Sequence, residues 1–106
     1  MSIATPPTAK RPEDCQTMAQ VRAGIDTLDR ELVALLDRRF AYMRAAARIK
    51  PTREMVRDEA RKAAVIAGAR AEAQRLGTPA GQIAALWEVL VESSIAYELE
   101  QWDARV

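Results

Sequence analysis

Residues 21–50, VRAGIDTLDRELVALLDRRFAYMRAAARIK, decide the fold. Val21, Ile25, Leu28, Leu32, Leu35, Leu36, Arg39, Met43, Ala46 and Ile49 follow the three- and four-residue spacing that keeps side chains on one face of a helix. Arg39 stands where this apolar stripe calls for a leucine. A guanidinium turned toward a core is costly unless it is paired, so Arg39 needs an anionic partner, and an anionic ligand would serve. The plainer alternative is that its stem lies along apolar surface while its head reaches water. Lys50 follows on nearly the same face, roughly 16 Å further along the axis, so two cations look inward from one helix.

The limits of this helix come from local signals. Thr17 and Gln20 have the spacing of a capping box, and Pro51 disfavours helical geometry at the residue before it, which predicts a helix from about Thr17 to Lys50. A rod of that length is roughly 50 Å, far beyond the ~13 Å radius of gyration of a compact 100-residue chain. The remaining residues are too few to cover its stripe, so a partner subunit is expected. Residues 1–12, with Pro6, Pro7 and Pro12, read as a flexible N-terminal tail ahead of one domain over 13–106.

Beyond a polar connection at 51–57, the alanine-rich stretch from Asp58 to Leu76 predicts a second helix, favoured at its start by Asp58 and Glu59 and stopped by Gly77. Thr78 as cap and Pro79 as first residue predict a third helix running to about Trp102. Ile83, Leu86, Trp87, Leu90, Val91, Ser94, Ile95 and Glu98 share its broad inward face. Ser94 and Glu98 therefore place polar groups on that face one turn apart. Taken singly, each has an ordinary explanation: Ser94 bonding back to its own turn, Trp87 and Trp102 as core or interface aromatics, Asp58 and Arg61 as a surface ion pair. Together they call for more. No strand pattern or internal repeat is present, so the fold class is all-α with three helices per chain, one of them very long.

Composition narrows the chemistry. With 106 residues, 49% of them apolar, the chain fits one domain. Sixteen basic and fifteen acidic residues are intermixed, which argues against a nucleic-acid footprint or a membrane-surface helix. With no apolar run of spanning length and no secretory signal pattern, a cytoplasmic protein is expected. Cys15 is the single cysteine and has no evident base or metal partner. There is no histidine, which removes the usual general base and the commonest metal ligand, and the glycines lack nucleotide-loop spacing. An enzyme with this sequence has to work by electrostatics and shape, with no metal site and no cofactor expected.

The arrangement Val21-Arg22-x-x-Ile25-Asp26-x-Leu28-Asp29-x-x-Leu32-x-x-Leu35-Leu36-x-x-Arg39, followed by Ile49-Lys50, Val56-Arg57-Asp58-x-x-Arg61 and Ser94-x-x-x-Glu98, resembles the all-helical class of chorismate mutases over about residues 13–102. Pro12-Glu13-Asp14-Cys15 and the stretch from Arg39 to Lys50 also resemble the isochorismate-pyruvate lyase branch of that fold. The resemblance implies an intertwined helical homodimer and a small dicarboxylate substrate carrying an enolpyruvyl ether. By matching positions it implies that Arg39 and the partner's Arg22 hold carboxylates, Lys50 bonds the ether oxygen and a carboxylate, and Arg61 assists anion binding. Asp58 would meet the ring hydroxyl, Ser94 would line the site and Glu98 would face the ether oxygen. Arg22 and Arg39 lie roughly 25 Å apart on one helix, so one small ligand reaches both only if a second chain supplies one of them.

The implied activity is rearrangement of chorismate to prephenate in shikimate-derived metabolism leading to aromatic amino acids, a reaction that needs no nucleophile or metal. The lyase branch implies formation of salicylate and pyruvate from isochorismate instead. The mutase reading is preferred because Val56-Arg57-Asp58 resembles the mutase loop. A helical dimerisation module is the non-enzyme alternative, and it leaves Arg39 unexplained. Many relatives carry glutamine where this chain has Glu98, and a carboxyl donates a hydrogen bond only when protonated.

Overall fold

In a computed structural model, residues 10–106 are described, and among them all regular structure is helical. The chain divides into two compact units, with the division between Arg39 and Phe40. Among the described residues no helix is long and apolar enough to cross a membrane.

Most of the expected tail, residues 1–9, lies outside the described residues. Pro12–Asp14 form a 3-10 turn fastened by Arg11 Nε donating to Asp14 Oδ2 at 2.8 Å. Helix α1 spans Met18–Ile49. Its start is the expected box with one change. Thr17 Oγ1 accepts from the Gln20 N–H at 3.1 Å, while Gln20 Oε1 turns to the N–H of Gln16, not that of Thr17, at 2.7 Å.

In the first unit the apolar stripe of α1 is largely uncovered. Ile25, Leu28, Leu32 and Leu35 are 49%, 57%, 54% and 56% exposed. Fully covering one such side chain is worth about 1.5–3 kcal/mol, so the stripe is a strong thermodynamic incentive to association.

The second unit begins at Phe40, whose ring meets Tyr97 edge-on with centroids 5.1 Å apart at 75°. Helix α1 stops at Ile49, although Lys50 still donates its N–H to Ala46 O at 2.9 Å, and Pro51 then prevents further propagation. A 3-10 turn at Arg53–Met55 leads to buried Val56.

Helix α2 spans Glu59–Leu76, with Asp58 as its N-cap accepting from the Arg61 N–H at 2.9 Å. It closes in a Schellman motif: Gly77 adopts φ 73°, Thr78 N–H bonds Ala73 O at 3.0 Å, and Gly77 N–H bonds Gln74 O at 3.1 Å. Helix α3 spans Ala80–Asp103. The expected cap is displaced by one residue, since Pro79 occupies the N-cap position and makes no side-chain bond there. Thr78 already serves as the closing donor of α2.

Helices α2 and α3 pack together around Val56, Val91 and Ile95, with Val65, Ile66, Trp87, Leu99 and Trp102 closing over them. Polar contacts tie the margin. Arg57 grips Glu92 with Nη2–Oε1 at 2.8 Å and Nη1–Oε2 at 3.1 Å, and Lys62 lies 2.7 Å from both Glu88 and Glu92. These contacts hold the Glu92 carboxyl down at about 2, with the Arg57 hydrogen bonds the leading cause and Lys62 the next. Arg53 pairs similarly with Asp103, at 2.7 and 3.1 Å, fixing the turn after Lys50 to the end of α3.

Candidate active site

The end of α1 and the last turns of α3 bring Lys50 and Glu98 together. Lys50 Nζ lies 2.7 Å from Glu98 Oε2. The Glu98 side chain is 5% exposed and that of Lys50 is 27% exposed, so one partner is buried while the other keeps a path to solvent. Among the described residues, Glu98 Oε2 accepts no well-aligned hydrogen bond. Its burial is offset by the charge of the ammonium rather than by directional bonding.

Ser94 sits one turn before Glu98 on α3 and is buried; its Oγ donates to Leu90 O at 2.7 Å. Its hydroxyl is therefore partly satisfied within its own helix, as the plainer reading of that residue anticipates. The inward placement of Ser94 and Glu98 follows from the sequence period of α3. The approach of Glu98 to Lys50 depends on tertiary packing.

Asp58 and Arg61 are exposed at the start of α2. The contact between them runs from the Asp58 carboxylate to the Arg61 main-chain N–H, so the expected surface pair is in this respect a helix cap. Arg22 and Arg39 belong to the first unit, Arg22 exposed and Arg39 half-buried. The half-burial of Arg39 is consistent with its place on the apolar stripe.

Arg44, Tyr97 and Arg105, which the periodic pattern does not single out, make further contacts in this unit together with Trp102. Arg44 Nη1 donates to the Tyr97 hydroxyl at 2.9 Å, bracing α1 against α3 one residue before Glu98. The carbonyl of Lys50 receives Trp102 Nε1 at 3.3 Å and Arg105 Nη1 at 2.6 Å. Arg105 also donates to Ala47 O at 3.2 Å and lies over the Trp102 ring, 4.5 Å from its centroid. A cation just beyond the end of α3 carries no periodic signal, and the receiving carbonyl is invisible in sequence.

Chemically, the cluster offers an ammonium beside a buried carboxyl. The ammonium suits an oxygen that gains negative charge; the carboxyl donates to such an oxygen when protonated and accepts when ionised.

Residues 21–99 match the family described as chorismate mutase type II. The chain is also 31% identical over 93 residues to the isochorismate pyruvate lyase of Pseudomonas aeruginosa, a match covering 88% of this chain and 92% of that protein.

Proposed function

The chain belongs to the chorismate mutase type II family, and on that premise we propose that it rearranges chorismate to prephenate in a homodimer. The observation that carries this reading is the 2.7 Å contact of Lys50 with buried Glu98, in a chain that has no histidine. In the rearrangement the ether C–O bond breaks as a new C–C bond forms within one molecule. The enzyme's work is then to hold the compact conformer and stabilise charge on the ether oxygen.

Lys50 is the donor for that oxygen, and Glu98 supplies a second hydrogen bond in its protonated form. Ser94 lines the site beside Glu98. Arg39, and Arg22 from a second copy, are assigned to the substrate carboxylates by family position, as are Arg61 to anion binding and Asp58 to the ring hydroxyl. A planar, permanently charged guanidinium fixes a carboxylate in one orientation, whereas the mobile point charge of lysine suits an oxygen whose charge changes during the reaction. The exposed stripe of Ile25, Leu28, Leu32 and Leu35 supports the dimer, because a second α1 offers an equally apolar face.

The similarity to an isochorismate pyruvate lyase favours a second reading, in which the same cation binds the enolpyruvyl ether of isochorismate and the products are salicylate and pyruvate. Supplying the purified protein separately with chorismate and isochorismate, and identifying the products, distinguishes them. Prephenate from chorismate supports the mutase. Salicylate and pyruvate from isochorismate alone would establish the lyase, and turnover of neither would favour a dimerisation module.

A further inference from the structure

We propose that Arg105, acting with Trp102, is a positioning residue that holds the reacting ammonium of Lys50 in register with Glu98. The proposal rests on the assignment of Lys50 to the reacting oxygen made above, but its physical basis is separate. Lys50 lies immediately beyond the last residue of α1, where helical carbonyls lose their internal partners, and Pro51 brings no N–H of its own. A lysine on such a frayed end would swing with the backbone. Here its carbonyl is instead held by two donors, the indole of Trp102 in the last turn of α3 at 3.3 Å and the guanidinium of Arg105 just beyond that helix at 2.6 Å.

Two features make this more than a generic cap. Arg105 bridges two carbonyls of α1, those of Ala47 and Lys50, so it fixes the direction of the final turn as well as its end. The donors also continue from the helix that carries Glu98: Trp102 lies one turn beyond it, and Trp102 is itself wedged against the Val56–Val91–Ile95 core. The main chain of Lys50 and the carboxyl paired with its side chain are thereby referenced to one rigid element. The stacking of Arg105 on Trp102 holds the guanidinium in its fork geometry, and the positive charge also suits the negative end of α1.

The test compares Arg105→Gln, Arg105→Lys and Trp102→Phe in the full-length protein. Loss of the clamp should lower kcat about 10- to 100-fold in Arg105→Gln, the scale of a misplacement near 1 Å, with KM changed less than about threefold. Arg105→Lys, which keeps one cationic donor, should recover most of the loss. Trp102→Phe keeps an aromatic ring for Arg105 but removes the N–H together with the five-membered part of the indole, so it should show a smaller fall in kcat and serves if Arg105→Gln does not fold. Folded variants with unchanged kcat, or a fall confined to the fraction of folded protein, would overturn the proposal.

A readout independent of turnover separates this inference from the assignment of function. The chain has three lysines, Lys10, Lys50 and Lys62, so 15N-lysine labelling gives a resolvable Lys50 ammonium. Its relaxation-derived order parameter should be high in the wild type and Arg105→Lys and clearly reduced in Arg105→Gln, with Lys62 unchanged. If the wild type turns over neither substrate, the functional reading fails while this measurement still decides the clamp; an unchanged Lys50 order parameter would overturn it.

Discussion

Lys50 Nζ and Glu98 Oε2 stand 2.7 Å apart, joining the end of α1 to the buried face of α3. Across this contact the carboxyl and the ammonium offset one another's burial. In the proposed mechanism the two groups serve one ether oxygen, where an ionised Glu98 both fails to donate and repels the developing negative charge. Glu98→Gln removes that conflict with little change of shape. We expect it to raise kcat/KM for chorismate, measured at neutral pH. Equal kcat/KM values would remove Glu98 from the ether oxygen.

A second expectation concerns acid stability. Glu92 is held at about 2 in the folded chain, against 4.5 ordinarily, chiefly by hydrogen bonds from Arg57 and Lys62. A depressed carboxyl stabilises the fold above its unfolded value, and that contribution is lost as pH falls from 4.5 toward 2. Because the cluster is solvent-screened, the effect is modest. Glu92→Gln should shift the acid unfolding midpoint upward and weaken the pH dependence within this window, as followed by helical circular dichroism. An unchanged acid limb would show that the Arg57–Glu92–Lys62 cluster contributes nothing in solution.

How far the sequence discloses this structure depends on the range of the interactions. Helix α2 was legible at both ends because Asp58 and Gly77 act within a few residues of themselves. Thr78 departs from its cap pattern because its main-chain N–H closes α2, leaving Pro79 to occupy the N-cap of α3. The period of α3 disclosed the burial of Ser94 and Glu98. The meeting of Glu98 with Lys50, the brace from Arg44 to Tyr97 and the grip of Arg105 on the Lys50 carbonyl all join residues about fifty positions apart, and no local pattern encodes them.

Asp58 offers a way to separate folding from binding. Its carboxylate caps α2 through the Arg61 N–H, so Asp58→Ala should cost about 0.5–2 kcal/mol by chemical denaturation, whereas Asp58→Ser should keep most of that cap. If Asp58 also meets the substrate hydroxyl, the serine variant should retain stability yet raise KM. Wild-type KM in Asp58→Ser would confine this residue to capping.

The proposed dimer makes a complementation prediction. If Arg22 acts across the interface, inactive Arg22→Ala and inactive Lys50→Ala chains should regain activity on mixing, because one site of each heterodimer then carries neither defect. The expected recovery approaches half the wild-type rate per heterodimer. Confirmed subunit exchange with no recovery would place Arg22 within its own chain's site or outside the mechanism.

Lys50 carries the central claim, and the most direct test is kcat/KM for chorismate in the wild type and in Lys50→Met, which keeps an unbranched side chain but removes the charge. Helicity and oligomeric state are compared in parallel, because the substitution leaves buried Glu98 without its partner. The expected result is a folded protein with kcat/KM lowered about 100- to 1,000-fold, the scale of losing one donor to a developing oxyanion. A folded Lys50→Met protein that rearranges chorismate at the wild-type rate would contradict the assignment of this cluster as the catalytic centre.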